Sequence, residues 1–464
     1  LSRSKAEELD LKTTEKAAAE SAGFGPVPSR FLGPNGNHLV RRLLPWAHKG
    51  GLTIVDQGLI SGSNFLVNIL LARWLTPEQY GAYAIAFGIF ILLSLVYQSL
   101  VLEPMSVFGG STYQHKLREY FFSLLWIHTG LSLVIFLLFG ASAAISRALG
   151  QPGGLPGALA GVTIASPCVL FFWLARRCLY LEASPSKAVI GAFVYSSFVL
   201  GALWIFYKYH LLSAFTSFVL IAIGALGTGV VLTLRLGFSV RRSEHALSTW
   251  ATWQQHWRYG GWALAGAIAS WIPANIYYPL LSSFGSMAHS GELKALMNIT
   301  LPLEQIKSAL SLLLLPYAAS VQHGTSESRT KTLTWRLTLL GLGIAVAYWA
   351  VIIPLNRPVF QFLYSGRYMD VAHYLPLVSV GSLFWSAAYG PALALRGLKA
   401  PALVFWAYTA STVASLIIGV PATWYYGLAG GIWGNNVADI VSLAGVFYFL
   451  HRKMKKSPLP AAAH

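Results

Sequence analysis

Charge is what this chain has least of. Asp, Glu, Lys and Arg make up 11% of its 464 residues, where soluble domains carry about 25%. Acids are the scarcer sign, 16 against 33 Lys and Arg. Cysteine is nearly absent. Cys168 and Cys178 fall on one apolar stretch, and ten residues of helix hold them about 15 Å apart, too far for a disulfide. The sequence has no His/Cys/Asp/Glu group at metal-ligand spacing and no phosphate-cradling glycine loop. It also lacks a convincing acid/base or nucleophile constellation. These gaps argue against a soluble enzyme, a disulfide scaffold and a nucleotide-binding fold.

What is present is 55% hydrophobic sequence, laid out in runs long enough to cross a bilayer core of about 30 Å. The net charge of +17 comes from bases scattered in ones and twos through the connecting segments. That pattern fits the positive-inside rule, and no nucleic-acid partner is expected.

The chain is organised around residues 50–111. They read as two spanning helices joined by the turn Leu75-Thr76-Pro77-Glu78-Gln79-Tyr80-Gly81. Pro77 sits in the first turn of the second helix, where a missing N–H costs nothing. On the first helix, 52–74, Gln57, Ser61, Asn64 and Asn68 share one narrow face at about 100° per residue. Such a stripe belongs against protein or water, not lipid tails. Further spans are predicted at 79–104, 119–140, 156–178, 188–207 and 211–235, then 260–284, 292–318, 333–355, 372–395, 401–422 and 427–450. The expected fold is an all-α polytopic membrane protein of about twelve transmembrane helices in two pseudo-symmetric six-helix lobes. The expected divisions are a flexible tail at 1–45, a first lobe at 46–236, a linker at 237–257, a second lobe at 258–450 and a basic tail at 451–464.

Lysine and arginine set the orientation. If the segment before the first span is cytoplasmic, that side holds twenty-one of them, from Arg41 to Lys456. The other side holds six: Arg73, Arg147, Lys208, Lys294, Arg357 and Arg367. Both termini are therefore expected in the cytoplasm. The outer connections are too short to form a domain. A weak repeat pairs Gly50, Gly51 and Gly81 with Gly260, Gly261 and Gly291, all at an offset of 210. Glu103-Pro104-Met105 similarly falls near Leu315-Pro316-Tyr317. Three glycines can match by chance, but equal span counts about a midpoint linker favour two halves of like orientation around a two-fold axis along the membrane normal.

The stretch DQGLISGSNFLVNILLARWLTPEQYGAYA closely resembles the opening of Wzx-type (O-antigen flippase) polysaccharide exporters, of the multidrug/oligosaccharidyl-lipid/polysaccharide exporter superfamily. PVFQFLYSGRYMDVAHYLPLVSVGSLFW and ALRGLKAPALVFW look like that family's ninth-to-eleventh-span region. The resemblance is diffuse over 48–450 and departs at the Gln-Pro-Gly-Gly-Leu-Pro-Gly loop of 151–157. It implies translocation of an undecaprenyl-diphosphate-linked oligosaccharide from inner to outer leaflet of a bacterial cytoplasmic membrane, by alternating access. No cofactor is implied. A proton or sodium gradient could drive the cycle, and membrane lipids, a polysaccharide polymerase and chain-length machinery could be partners.

Ionisable and amide residues within spans are the candidate site. Lys307 would meet the diphosphate, with Glu304 as proton acceptor or tether; alternatively the two form an i,i+3 pair that only neutralises itself. Asp439 is a candidate proton site, with Asn435 one turn before it and Asn436 adjacent, or these make interhelical hydrogen bonds. Asn64 and Asn68 are candidates for sugar contact or for helix–helix bonding, and Asn275, beside Pro273, sits near the matching place in the second half. Asp56 and Glu103 could pair with Arg176 or Arg177 as a gate, or lie in a solvated interface. Arg73 could attract phosphate or snorkel. His128 could titrate or be a packed, hydrogen-bonded histidine. Against the flippase stand a multidrug cation antiporter of the same fold, which would favour acidic residues in the lumen, and a polysaccharide polymerase or ligase.

Overall fold

The structure, a computed structural model, describes residues 36–151, 154–182, 184–236, 247–307, 327–397 and 401–456. Within them the chain is helical, and nine stretches are long and apolar enough to cross a membrane. The last of these, Ala402–Lys455, is long enough for two passes and is broken at Gly427, whose φ is +56°.

Helix α1 runs Gly36–Trp74, so its helical path begins ahead of the expected boundary at residue 46. The turn after it is as short as the sequence suggests. Thr76 caps α2 by accepting from the Gln79 N–H at 3.3 Å, and Pro77 occupies its first turn. Helix α2, Pro77–Gly109, contains one π-helical turn at Gln98–Leu102. Then follow α3 (Leu117–Ala148), α4 (Leu155–Leu181), α5 (Pro185–Lys208) and α6 (Ala214–Arg235). Pro167 does not break α4. In the first lobe α4 packs on α6 and α1 on α5.

The second half opens with a difference. Residues 249–257, expected as linker, are the first turns of α7 (Thr249–Asn275), capped by Ser248. They are helical because one face is sealed: Thr252 and His256 are fully buried. The expected seventh span is in fact two pieces, α7 and α8 (Tyr277–Phe284). The break falls where Pro279, which has no N–H, cannot donate to the Asn275 carbonyl four residues before it. Next comes α9, Met287–Asn298, whose helical path resumes over 301–307; the rest of the expected eighth span, and the Leu315-Pro316-Tyr317 motif, lie outside the described residues. After it come α10 (Glu327–Ile352), α11 (Asn356–Tyr364), α12 (Leu375–Ala387), α13 (Tyr389–Gly397), α14 (Pro401–Ala414) and α15 (Val420–Lys456). In the second lobe α14 and α12 pack on α15.

The lobes meet chiefly along α2, which lies on α9 at one end and α7 at the other. We call the end holding the Thr76 turn upper and the end holding Ser248 lower. At the upper end the repeat glycines touch. A Cβ on Gly81 would overlap the Met287 carbonyl, and one on Gly291 would lie 2.6 Å from the Pro77 carbonyl oxygen. Each would also stand 3.1 Å from the other's backbone nitrogen. That reciprocity is what a two-fold axis imposes on residues beside it.

Candidate functional site

Two polar regions emerge, one in each lobe. In the first lobe, a cavity of about 110 Å³ is lined by Asn64, Asn68, Tyr83, Phe87, Trp173 and Tyr195 and otherwise by apolar side chains such as Ile60, Val67 and Val169. The stripe on α1 supplies the amides and α2, α4 and α5 supply the rings. Asn68 is buried; its Nδ2 donates to the Asn64 carbonyl at 2.8 Å, and its Oδ1 has no partner. Asn64 is exposed. No carboxylate lines the cavity among the described residues.

The second lobe holds a charged cluster. Lys307 Nζ donates to Glu304 Oε1 at 2.6 Å and sits 5.9 Å from the Trp385 ring centre. The ammonium end is buried while Glu304 is 38% exposed, so the pair stands at the edge of protein and open space. Asp439 lies within Coulombic reach of both. Its carboxylate fits because Gly381 leaves room: a Cβ there would be 2.7 Å from Asp439 Oδ2 and overlap Asn436 Oδ1. Asn436 Nδ2 donates to the Leu377 carbonyl at 2.8 Å. Asn436 forms part of this cluster, and the expected amide, Asn435, is half-buried one residue before it.

The remaining candidates separate. Asp56 is not in a solvated interface. It is 1% exposed, accepts from the Arg176 guanidinium, and takes a second bond from the Tyr180 hydroxyl. This pair ties α1 to α4 inside one lobe and so cannot by itself close a gap between lobes. Glu103 lies within Coulombic reach of Arg177. His128 is packed: Nδ1 shares a 3.1 Å hydrogen bond with the Tyr97 hydroxyl, and Nε2 a 3.3 Å one with Ser132. Asn275 sits over Gly88 of α2, its Oδ1 3.3 Å from where a Cβ would be, at the lobe boundary and not among the cavity-lining residues. Arg73 is exposed at the upper end of α1.

Three features escaped the sequence reading. Lys294, assigned above to an outer connection, is inside α9 and only 8% exposed. The cause is a helix start five residues earlier than expected, with Ser286 at its cap. At the lower end, His256 joins the lobes. Its Nδ1 stands 2.8 Å from the Leu100 carbonyl, which can only accept, so Nδ1 donates; Nε2 then accepts from the Tyr120 hydroxyl at 2.6 Å. At the upper end, Arg367 donates to the Leu75 carbonyl from a loop in which Ser365, Gly366 and Tyr368 all have positive φ.

No family model matches the chain, and no curated protein matches it significantly. Solved structures do. An inward-facing multidrug resistance MATE family transporter of the MOP superfamily superposes with TM-score 0.73 at 13% identity, over 86% of this chain and 95% of that one. The lipid II flippase MurJ in an inward closed conformation gives 0.68 at 13% identity, over 86% and 87%. An outward-facing MATE transporter gives 0.53 at 14% identity, over 89% and 94%. The chain has their fold: a polytopic all-α membrane protein with two six-helix lobes.

Proposed function

We propose that the protein is a flippase of Wzx type, moving an undecaprenyl-diphosphate-linked oligosaccharide between leaflets. The observation that carries this reading is the cavity of apolar residues, rings and two amides, with no carboxylate among the described residues that line it. Aromatic faces and amides are what sugars need. A site for cationic drugs would instead place acids there. A sugar diphosphate cannot cross hydrocarbon unaided, because each unsatisfied polar group costs several kcal/mol in that medium. A cleft between lobes carries the headgroup while the prenyl chain stays in lipid, and rocking of the lobes exchanges the open side. Asn64 and Asn68 would contact sugar, and Asp439 with Glu304 would serve ion coupling. The lower end is assigned to the cytoplasm of a bacterial inner membrane. With Lys294 removed from the outer connections, the basic residues still favour that side.

The test is transfer of a fluorescent polyprenyl-diphosphate oligosaccharide across liposomes holding the protein, with and without a pH gradient, and ethidium efflux as control. Lipid transfer without ethidium efflux is expected. Ethidium efflux without lipid transfer would replace this reading with the multidrug antiporter. Loss of Asn68 in the variant Asn68→Ala is expected to slow transfer without unfolding the protein.

A further inference from the structure

The sequence points to Lys307 as the cation for an anionic cargo, but Lys307 already holds Glu304 at 2.6 Å. The structure draws attention to a different lysine. Lys294 lies on α9 at the seam between lobes, 92% buried by its 8% exposure. Its Nζ sits 4.4 Å from the centre of the Phe87 ring and 6.0 Å from that of Tyr278. Among the described residues it has no hydrogen bond and no carboxylate, unlike Arg176, which holds Asp56, and Lys307, which holds Glu304. Glu292, two residues away, is in electrostatic contact with His289 and Asp370 instead.

A buried ammonium without an anion is costly, and ring faces compensate only part of that cost. Such a group is retained where a ligand supplies the missing charge. The location says which ligand. Phe87 carries the ammonium and also lines the cavity of Asn64 and Asn68, where the buried Asn68 Oδ1 still lacks a donor. One ring therefore joins an unpaired cation to an unpaired amide oxygen. We propose that Lys294 binds the phosphate or diphosphate of the cargo, and that Asn68 receives a hydroxyl of the uncharged part attached to it. The inference rests on the flippase reading and sharpens it into selection by charge. Gly291, one helical turn from Lys294, makes the upper contact with α2, so anion binding and upper closure are carried by the same helix.

The experiment measures binding of farnesyl diphosphate, farnesol, inorganic pyrophosphate and tetraphenylphosphonium to the full chain in detergent, for the parent, Lys294→Met and Lys294→Arg. Lys294→Met should weaken farnesyl diphosphate at least tenfold and leave farnesol unchanged, and Lys294→Arg should retain most of the affinity. The melting temperature of Lys294→Met should stay level or rise, because an unpaired buried charge has been removed. A marked fall would mean that Lys294 has a structural partner, and would overturn the inference. So would equal diphosphate binding by parent and Lys294→Met, which leaves the flippase reading standing. Tetraphenylphosphonium binding by a parent that ignores every diphosphate would overturn both. Pyrophosphate binding as tightly as farnesyl diphosphate would support the anion site while assigning its ligand to free phosphates instead of lipids.

Discussion

The seam along α2 is closed differently at its two ends. At the upper end backbone meets backbone: Gly81 and Gly291 bring α2 and α9 so close that neither can carry a side chain, with the Asn298–Tyr80 and Arg367–Leu75 bonds beside that contact. At the lower end side chains make the closure. His256 bridges the Leu100 carbonyl and Tyr120, and Tyr113 donates to Gln255 at 2.8 Å. Backbone also approaches closely there at Gly260, against the Ser99 carbonyl. The partner at Leu100 lies in the π-helical turn, a feature frequent at functional sites. The contrast matters because the two kinds of contact release differently. Water can replace a hydrogen bond at a net cost of about 1 kcal/mol, whereas a tightly packed contact has no substitute in solvent. The lower end should therefore open more easily.

The largest expected effect comes from a change that should leave this contrast intact. Arg176→Met strands Asp56 as a buried charge inside the first lobe. It should lower stability by about 3–5 kcal/mol, read by melting in detergent, without altering thiol access at either end. Gly81→Val attacks the upper end directly. Overpacking there should cost about 1–3 kcal/mol and should appear as labelling of Ser290→Cys, a position buried in the parent. Labelling confined to the lower end would reverse the comparison. His256→Ala should loosen the lower end by about 1–3 kcal/mol, since it leaves Leu100 and Tyr120 unpartnered. Arg367→Ala should have the smallest effect, about 0.3–1 kcal/mol for a cation at a helix C-terminus, read as a slight gain in Ser290→Cys labelling.

Most of the fold was legible because lipid-length apolar runs leave little choice: the helices near 52–74, 119–140 and 188–207 follow those runs, extending beyond them at one end or both. The Asp56–Arg176 pairing was also within reach, since both lie near the same end of their expected spans, 52–74 and 156–178. Lys294 was hidden because a lysine close to a turn reads as solvent-facing. The usable signal was Ser286, whose capping geometry with His289 moves the helix start upstream and carries Lys294 two turns inward. His256 was hidden by composition, because charged and aromatic residues together look like a connection. Its burial depends on Thr252 and His256 sharing one face of α7, and the partner for that face comes from α2 and α3, more than a hundred residues away. Asn435 and Asn436 differ by about 100° around the helix, and only the neighbour that accepts from Asn436 decides between them.

The glycine contact beside the symmetry axis has a mechanical consequence. Because Gly81 and Gly291 lie where the lobes are pinned, they act as a fulcrum, and α2 is the lever. From Gly81 to Gly109 the helix extends for about 40 Å, so a tilt of about 10° about that point displaces its far end by roughly 7 Å. A rotation too small to disturb the packing inside either lobe thus suffices to admit a sugar-sized group at the opposite end.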